Sequence, residues 1–275
     1  MSEKRKKHNL KLYVILNIVS ILILFFFYQI FLTFNSIQIS KELIEDTEYR
    51  EIISTNSSNN FTLNLTTKTK NISVLLTGDS IAYGVGASSI NYSLHYHLLD
   101  YFKYNYNNYN IRVENRAKIG NKIDDLINQT QKNKRGEEEK YNITIIVIGS
   151  NDVLYFTPFS IFEENMKTVL KQYSNVSKDI VIIGPGRLYD TTGLPITLRL
   201  IYDKTSHYYS QIYKNLASEN ENIVYINPLN NSLNISSFNN TLAQDGIHPN
   251  NEGHKYWQEM IVQGIKKTQS HKIFE

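Results

Sequence analysis

A chain of 275 residues with no cysteine and a formal net charge of +3 is long enough for one domain of ordinary size plus extensions. The missing thiols exclude disulfides, a cysteine nucleophile and cysteine-ligated metal. A charge this small, part of it in a basic N-terminal block, leaves no broad nucleic-acid-binding face.

The chain begins with a basic tail over residues 1–11, carrying Lys4, Arg5, Lys6, Lys7 and Lys11. An apolar segment follows from Leu12 to Phe34, interrupted by Asn17, Ser20, Tyr28, Gln29 and Thr33. As a helix it spans about 34 Å, enough to cross a bilayer core. The flanking positive charge predicts a cytoplasmic N-terminus and places the remainder outside. A cleaved signal peptide competes with this reading. Its apolar core would be shorter, and Thr33-Phe34-Asn35-Ser36-Ile37 offers no Ala-x-Ala-like cleavage site. The expectation is therefore an uncleaved single-pass anchor.

Residues 35–70 read as a stalk. Glu42, Glu45, Asp46, Glu48 and Glu51 fit one helix over Ser40–Ile53, and Ser54–Lys70 has the Ser, Thr and Asn content of a solvated linker. Asn-x-Ser/Thr triplets are frequent in so Asn-rich a chain, and no glycosylation follows from them.

Residues 71–270 alternate between two patterns. Ile72–Thr77, Ile111–Glu114, Ile143–Ile148, Ile180–Ile183 and Ile223–Ile226 are short β-branched runs. Between them Leu94–Tyr104, Ile123–Thr130, Ile161–Tyr173 and Tyr208–Ala217 have helical spacing, and Glu252–Lys266 closes the series. Short buried strands alternating with helices predict a parallel sheet covered on both faces. Lys132–Lys140, with three consecutive glutamates, reads as a solvated loop.

The first strand runs into Thr77-Gly78-Asp79-Ser80-Ile81. Gly78 permits a sharp turn, which puts the Ser80 hydroxyl at the carboxyl edge of the sheet, where ligands bind in open α/β folds. A serine there can equally be a helix cap. Asp245-Gly246-Ile247-His248-Pro249 supplies what a nucleophile needs: a carboxylate three residues from an imidazole can set its tautomer, leaving the other nitrogen to take a proton from Ser80. Donors for a developing oxyanion are available after the second and third strands, as the Gly120 N–H and the Asn151 amide of Gly149-Ser150-Asn151-Asp152. Taken singly, Gly120 is a loop glycine, Asn151 an Asx turn, Asp245 a turn residue and His248 a surface-loop histidine. Together they lie on segments that can meet at one sheet edge.

Other chemistries lack their residues. Ala82 breaks the Gly-x-Ser-x-Gly elbow, Gly84-Val85-Gly86 has no third glycine of a dinucleotide fingerprint, and no Gly-Lys-Ser/Thr follows for phosphate. His95 and His97 stand at i, i+2, which do not face each other on a helix, and a structural role is expected for both. His254 is expected on a solvated helix face. Arg187 can line the pocket from the edge after the fourth strand. The aromatic-rich segment Tyr101–Tyr109 reads as packing or as a carbohydrate- or membrane-facing patch.

Gly78-Asp79-Ser80, Gly120, Gly149-Ser150-Asn151-Asp152 and Asp245-Gly246-Ile247-His248 resemble, in order, the four blocks of the SGNH hydrolases, also called GDSL-type esterases. The resemblance covers roughly Ile72–Lys267, with Ile81 where leucine often follows the serine. It implies a flavodoxin-like three-layer α/β/α domain with a parallel sheet. It also implies Ser80 as nucleophile, His248 as base and Asp245 as its orienter, with an oxyanion hole from the N–H groups of Ser80 and Gly120 and the Asn151 side chain. No metal or organic cofactor is implied. The expected function is a membrane-anchored, extracytoplasmic serine esterase acting on an O-acyl ester of a cell-envelope glycan or a lipid. An O-acyltransferase using the same residues and a tethered non-catalytic binding module are the alternatives.

Overall fold

The computed structural model describes residues 3–56, 70–129, 140–230 and 240–274. The predicted loop 132–140, except Lys140, and most of the predicted linker lie outside them. Five strands form one sheet: β1 (Asn71–Gly78), β2 (Asn110–Asn115), β3 (Tyr141–Val147), β4 (Ser177–Ile183) and β5 (Ile223–Ile226). All pair in parallel, in the order β2-β1-β3-β4-β5. This is the flavodoxin-like order, whose chain reversal falls between β1 and β3. The expected α/β architecture is borne out.

The β-branched runs explain the layering. Successive strand side chains point to opposite faces, so Ile72, Val74 and Leu76 of β1 enter one core while Leu75 enters the other. In β4, Val181 and Ile183 face the first core, and Ile180 and Ile182 the second. Each buried Val, Ile or Leu contributes about 1.5–3 kcal/mol of transfer free energy, and the central strands β1, β3 and β4 supply such residues to both layers. The first core is closed by α3 (Leu94–Asn105), α8 (Asn251–Ile265) and α9 (Gln269–Phe274). The second is closed by α4 (Ile123–Gln129), α6 (Phe159–Ser174) and α7 (Ile196–Ser218). Two short helices, α2 (Ser80–Tyr83) and α5 (Ser150–Leu154), open directly after β1 and β3.

Two features differ from the sequence expectations. Helix α7 starts at Ile196, twelve positions before the expected Tyr208, with Pro195 at its N-cap. His254 is fully buried in α8, its Nε2 3.0 Å from the Val85 carbonyl, so it is a core histidine and not a solvated one. In the aromatic segment the packing reading holds for Phe102 and Tyr106, which are buried and tilted against each other, with Tyr106 edge-on to Phe274.

The N-terminal helix α1 runs without a break from Glu3 to Asn56, joining the apolar segment to the helix expected at Ser40. It is apolar and long enough to span a membrane. From Lys11 to Tyr28 every side chain is exposed. Beyond that a covered stripe begins: Gln29, Leu32, Thr33, Ser36, Ile39, Ser40, Leu43 and Ile44 are half-buried and Thr47 is buried. Steps of three and four residues mark one helix face. That face lies against the α/β domain, where Gln29 accepts a hydrogen bond from the Ile196 N–H at 3.2 Å.

Candidate active site

Gly78 ends β1 with φ +143°, and a Cβ there would stand 1.8 Å from the Val147 carbonyl oxygen. Only glycine allows the β1 and β3 backbones to approach this closely at the turn. Asp79 then caps α2, its carboxylate accepting from the Ile81 N–H at 3.0 Å, and Ser80 becomes the first residue of that helix. The first N–H groups of a helix have no intrahelical acceptor, so the Ser80 N–H and hydroxyl both lie at the sheet's carboxyl edge.

The loop before α8 brings the partners. Asp245 is buried, and its Oδ1 accepts from the N–H groups of Ile247 and His248 at 2.9 and 3.0 Å. Its Oδ2 lies 2.5 Å from His248 Nδ1. A carboxylate only accepts, so Nδ1 carries the proton and Nε2 is the acceptor. Nε2 stands 3.0 Å from Ser80 Oγ, which donates to it. Burial would raise the Asp245 pKa. The hydrogen bond from His248, the charge of that imidazole and the two backbone donors outweigh burial and hold the carboxyl down at about 2. Gly246 makes the bend at φ +67°, where a Cβ would meet Thr192 Oγ1 at 2.3 Å.

Asn151, in the first turn of α5, gives one amide hydrogen to the Asn121 carbonyl at 2.9 Å and keeps a second to offer. Asn121 went unnoticed in the sequence. It is buried, its own amide donates to the Gly78 carbonyl at 3.0 Å, and so it ties the loop after β2 to the turn after β1. In a chain this rich in asparagine, only its place beside Gly120 could have flagged it. Gly120 is exposed at φ +80° with open space where a Cβ would stand. Ser80, Gly120, Asn151, His248 and Arg187 line one cavity of about 470 Å³.

Two carboxyls beneath the site are pushed the other way. Burial raises Asp79 to about 7, and one of its oxygens, Oδ2, has no hydrogen-bond partner. Burial raises Asp152 to about 6, against hydrogen bonds from Thr157 and the Ile123 N–H. Both sit under the loops and not in the Ser80–His248–Asp245 line.

A hydroxyl bonded to an imidazole that a buried carboxylate orients can attack a carbonyl carbon as its proton leaves. Carried on a parallel 2-1-3-4-5 sheet with Gly-Asp-Ser at the end of its first strand, that layout is the one of the SGNH hydrolases. Comparison with known proteins narrows the class. Residues 76–256 match the model of the GDSL-like lipase/acylhydrolase family, and the chain belongs to that family. It is a carboxylic ester hydrolase of this type.

Solved structures with the same fold include a catalytic mutant of Axe2, an acetylxylan esterase from Geobacillus stearothermophilus. It is 19% identical, with a TM-score of 0.54 over 71% of this chain and 94% of that one. The lipase Lip_vut3 from a goat rumen metagenome is 15% identical, with a TM-score of 0.59 over 73% of this chain and all of its own. TesA is 18% identical, with a TM-score of 0.55 over 70% and 98%. At these identities the likeness is one of fold. No curated protein matches the sequence significantly.

Proposed function

We propose that this chain is a membrane-anchored serine acylhydrolase whose α/β domain works outside the cytoplasmic membrane. Ser80 Oγ attacks the ester carbonyl carbon and its proton passes to His248 Nε2. The resulting oxyanion is held by the N–H groups of Ser80 and Gly120 and by the Asn151 amide. On collapse the C–O bond breaks, and the leaving alcohol takes the proton from His248. Water then attacks the acyl-enzyme with His248 again as base, releasing a carboxylic acid and restoring the serine. Asp245 remains ionised and steadies the imidazolium throughout. The substrate is an O-acyl ester of an envelope glycan or a membrane amphiphile.

The reading is carried by the contact of Ser80 Oγ with His248 Nε2 at 3.0 Å, continued from Nδ1 to buried Asp245. The anchor is supported by the exposed apolar length of α1 and its basic flank. The start of α7, joined to Gln29, also exposes Ile196, Leu200 and Ile201. Ser80→Ala is expected to abolish turnover of a chromogenic ester and labelling by a fluorophosphonate while leaving the fold intact. Wild-type turnover by that variant would remove Ser80 from its role.

A further inference from the structure

We infer that the juxtamembrane face of α1 is a working part of the catalytic site: Ile37 and Ile44 wall a subsite for an acyl chain longer than acetyl, and Ser40 positions Asp245. The inference deepens the reading of Ser80 as nucleophile and rests on it.

Three independent contacts join α1 to the site. Ile37, Ser40 and Ile44 line the same cavity as Ser80 and His248. They follow one another at i, i+3, i+7, which is one helix face. Ser40 Oγ donates to Asp245 Oδ2 at 2.8 Å, the same oxygen that accepts from His248 Nδ1. Gln29 is bonded to Ile196 where α7 begins, which fixes the helix two turns below Ile37. A tether that only held the domain near a membrane would need none of these.

The lining of the cavity also includes Leu154, Leu194, Leu198 and Met260. A volume of about 470 Å³ falls within the range of whole ligand sites, far more than an acetyl group fills. Apolar lining desolvates methylenes, and each one buried raises affinity about fourfold. The ligand class that fits is therefore an extended acyl chain, lying between α1 and α7 with its carbonyl at Ser80.

Ser40 acts through Asp245. Its donated hydrogen bond fixes the carboxylate and takes up part of its charge, which leaves less to stabilise the imidazolium. Removing that donor loosens the carboxylate and, with it, the orientation of the His248 ring.

The test uses the full chain in nanodiscs, where no detergent alkyl chain competes for the cavity, with p-nitrophenyl acetate and p-nitrophenyl octanoate as probes. Ile37→Trp, which fills the subsite, is expected to lower the octanoate-to-acetate ratio of kcat/KM at least tenfold. Ser40→Ala is expected to lower kcat three- to tenfold at unchanged KM, with Ser40→Thr restoring it. A ratio within twofold of wild type in Ile37→Trp, or a kcat within twofold of wild type in Ser40→Ala, overturns the inference. Should Ile37→Trp fail to label with fluorophosphonate, the cysteine-free background decides. Gln29→Cys with Ile196→Cys, joined by a short bis-maleimide, should keep the wild-type octanoate preference. Loss of that preference, or no cross-link, overturns it. Failure of the underlying reading is separate: the wild type would not label, or Ser80→Ala would turn over like the wild type.

Discussion

At the scale of single residues, burial pushes three carboxyls upward, and the hydrogen-bond donors around Asp245 alone reverse it. Asp245 receives donors on both oxygens and is held at about 2. Its contribution to stability is present above its unfolded pKa of 3.8 and is lost as pH falls from there towards 2. Asp79 is the reverse case. Burial raises it from 3.8 to about 7, so the native state binds a proton that the unfolded chain has released between those values, and stability falls as pH rises through that window. Asn at this position keeps a good helix cap and cannot ionise. Asp79→Asn is therefore expected to flatten the pH dependence between pH 4 and pH 7 and to gain about 2 kcal/mol or more near pH 8 relative to pH 4. Denaturation midpoints at the two pH values check this, and a variant with the wild-type slope would show that Asp79 is not the group titrating. His254 adds an opposing slope: burial lowers it to about 3, so acidification from about 6.5 downward favours the unfolded chain, which binds the proton first.

At the scale of elements, the active site is three strand ends and a loop, and each depends on a turn. Gly78 lets β1 end against the Val147 carbonyl. Gly78→Ala forces either a strained φ or a displaced β3, and is expected to cost on the order of 3 kcal/mol or more. The loss should appear as a lowered thermal midpoint together with lost fluorophosphonate labelling, because Ser80 follows the turn by two residues. A midpoint within about 1 °C of wild type would mean the turn relaxes freely. The helices show where pattern reading reaches its limit. The strands and α3, α6 and α8 were legible because their apolar residues repeat with the period of the element that buries them. The first half of α7 was not, because Ile196, Leu200 and Ile201 are exposed and its contacts include α1 and α5. Tyr202, for example, donates to the Leu154 carbonyl at 3.3 Å.

At the scale of the whole molecule, α1 has two zones. The stretch from Lys11 to Tyr28, exposed all round, is roughly 27 Å long, close to a bilayer's hydrocarbon thickness. The covered stripe from Gln29 to Thr47 begins where that zone ends. On the proposed anchored topology, a domain docked this close to the apolar zone holds Ser80 and His248 near the membrane surface. The chain is expected to sediment with membranes, to resist alkaline carbonate extraction, and to have its α/β domain digested by protease added from outside intact cells. Release by carbonate, or a domain protected from external protease, would refute the anchored topology.

The sequence by itself determined the sheet, the order of its segments and the identities of Ser80, Asn151, Asp245 and His248 as candidates. Those features depend on local periodicity and on residue types that one turn or one strand end requires, and such information is written over a few neighbouring positions. Only the tertiary structure decided that His254 is a buried residue, that Asn121 ties two site loops together, and that α1 lies along the cavity with Ser40 on Asp245. Each of these depends on contacts between segments far apart in the chain; Ser40 and Asp245 are 205 positions apart. A half-buried helix face with serine, threonine and glutamine among its apolar residues has no pattern of its own until the surface it packs against is in place.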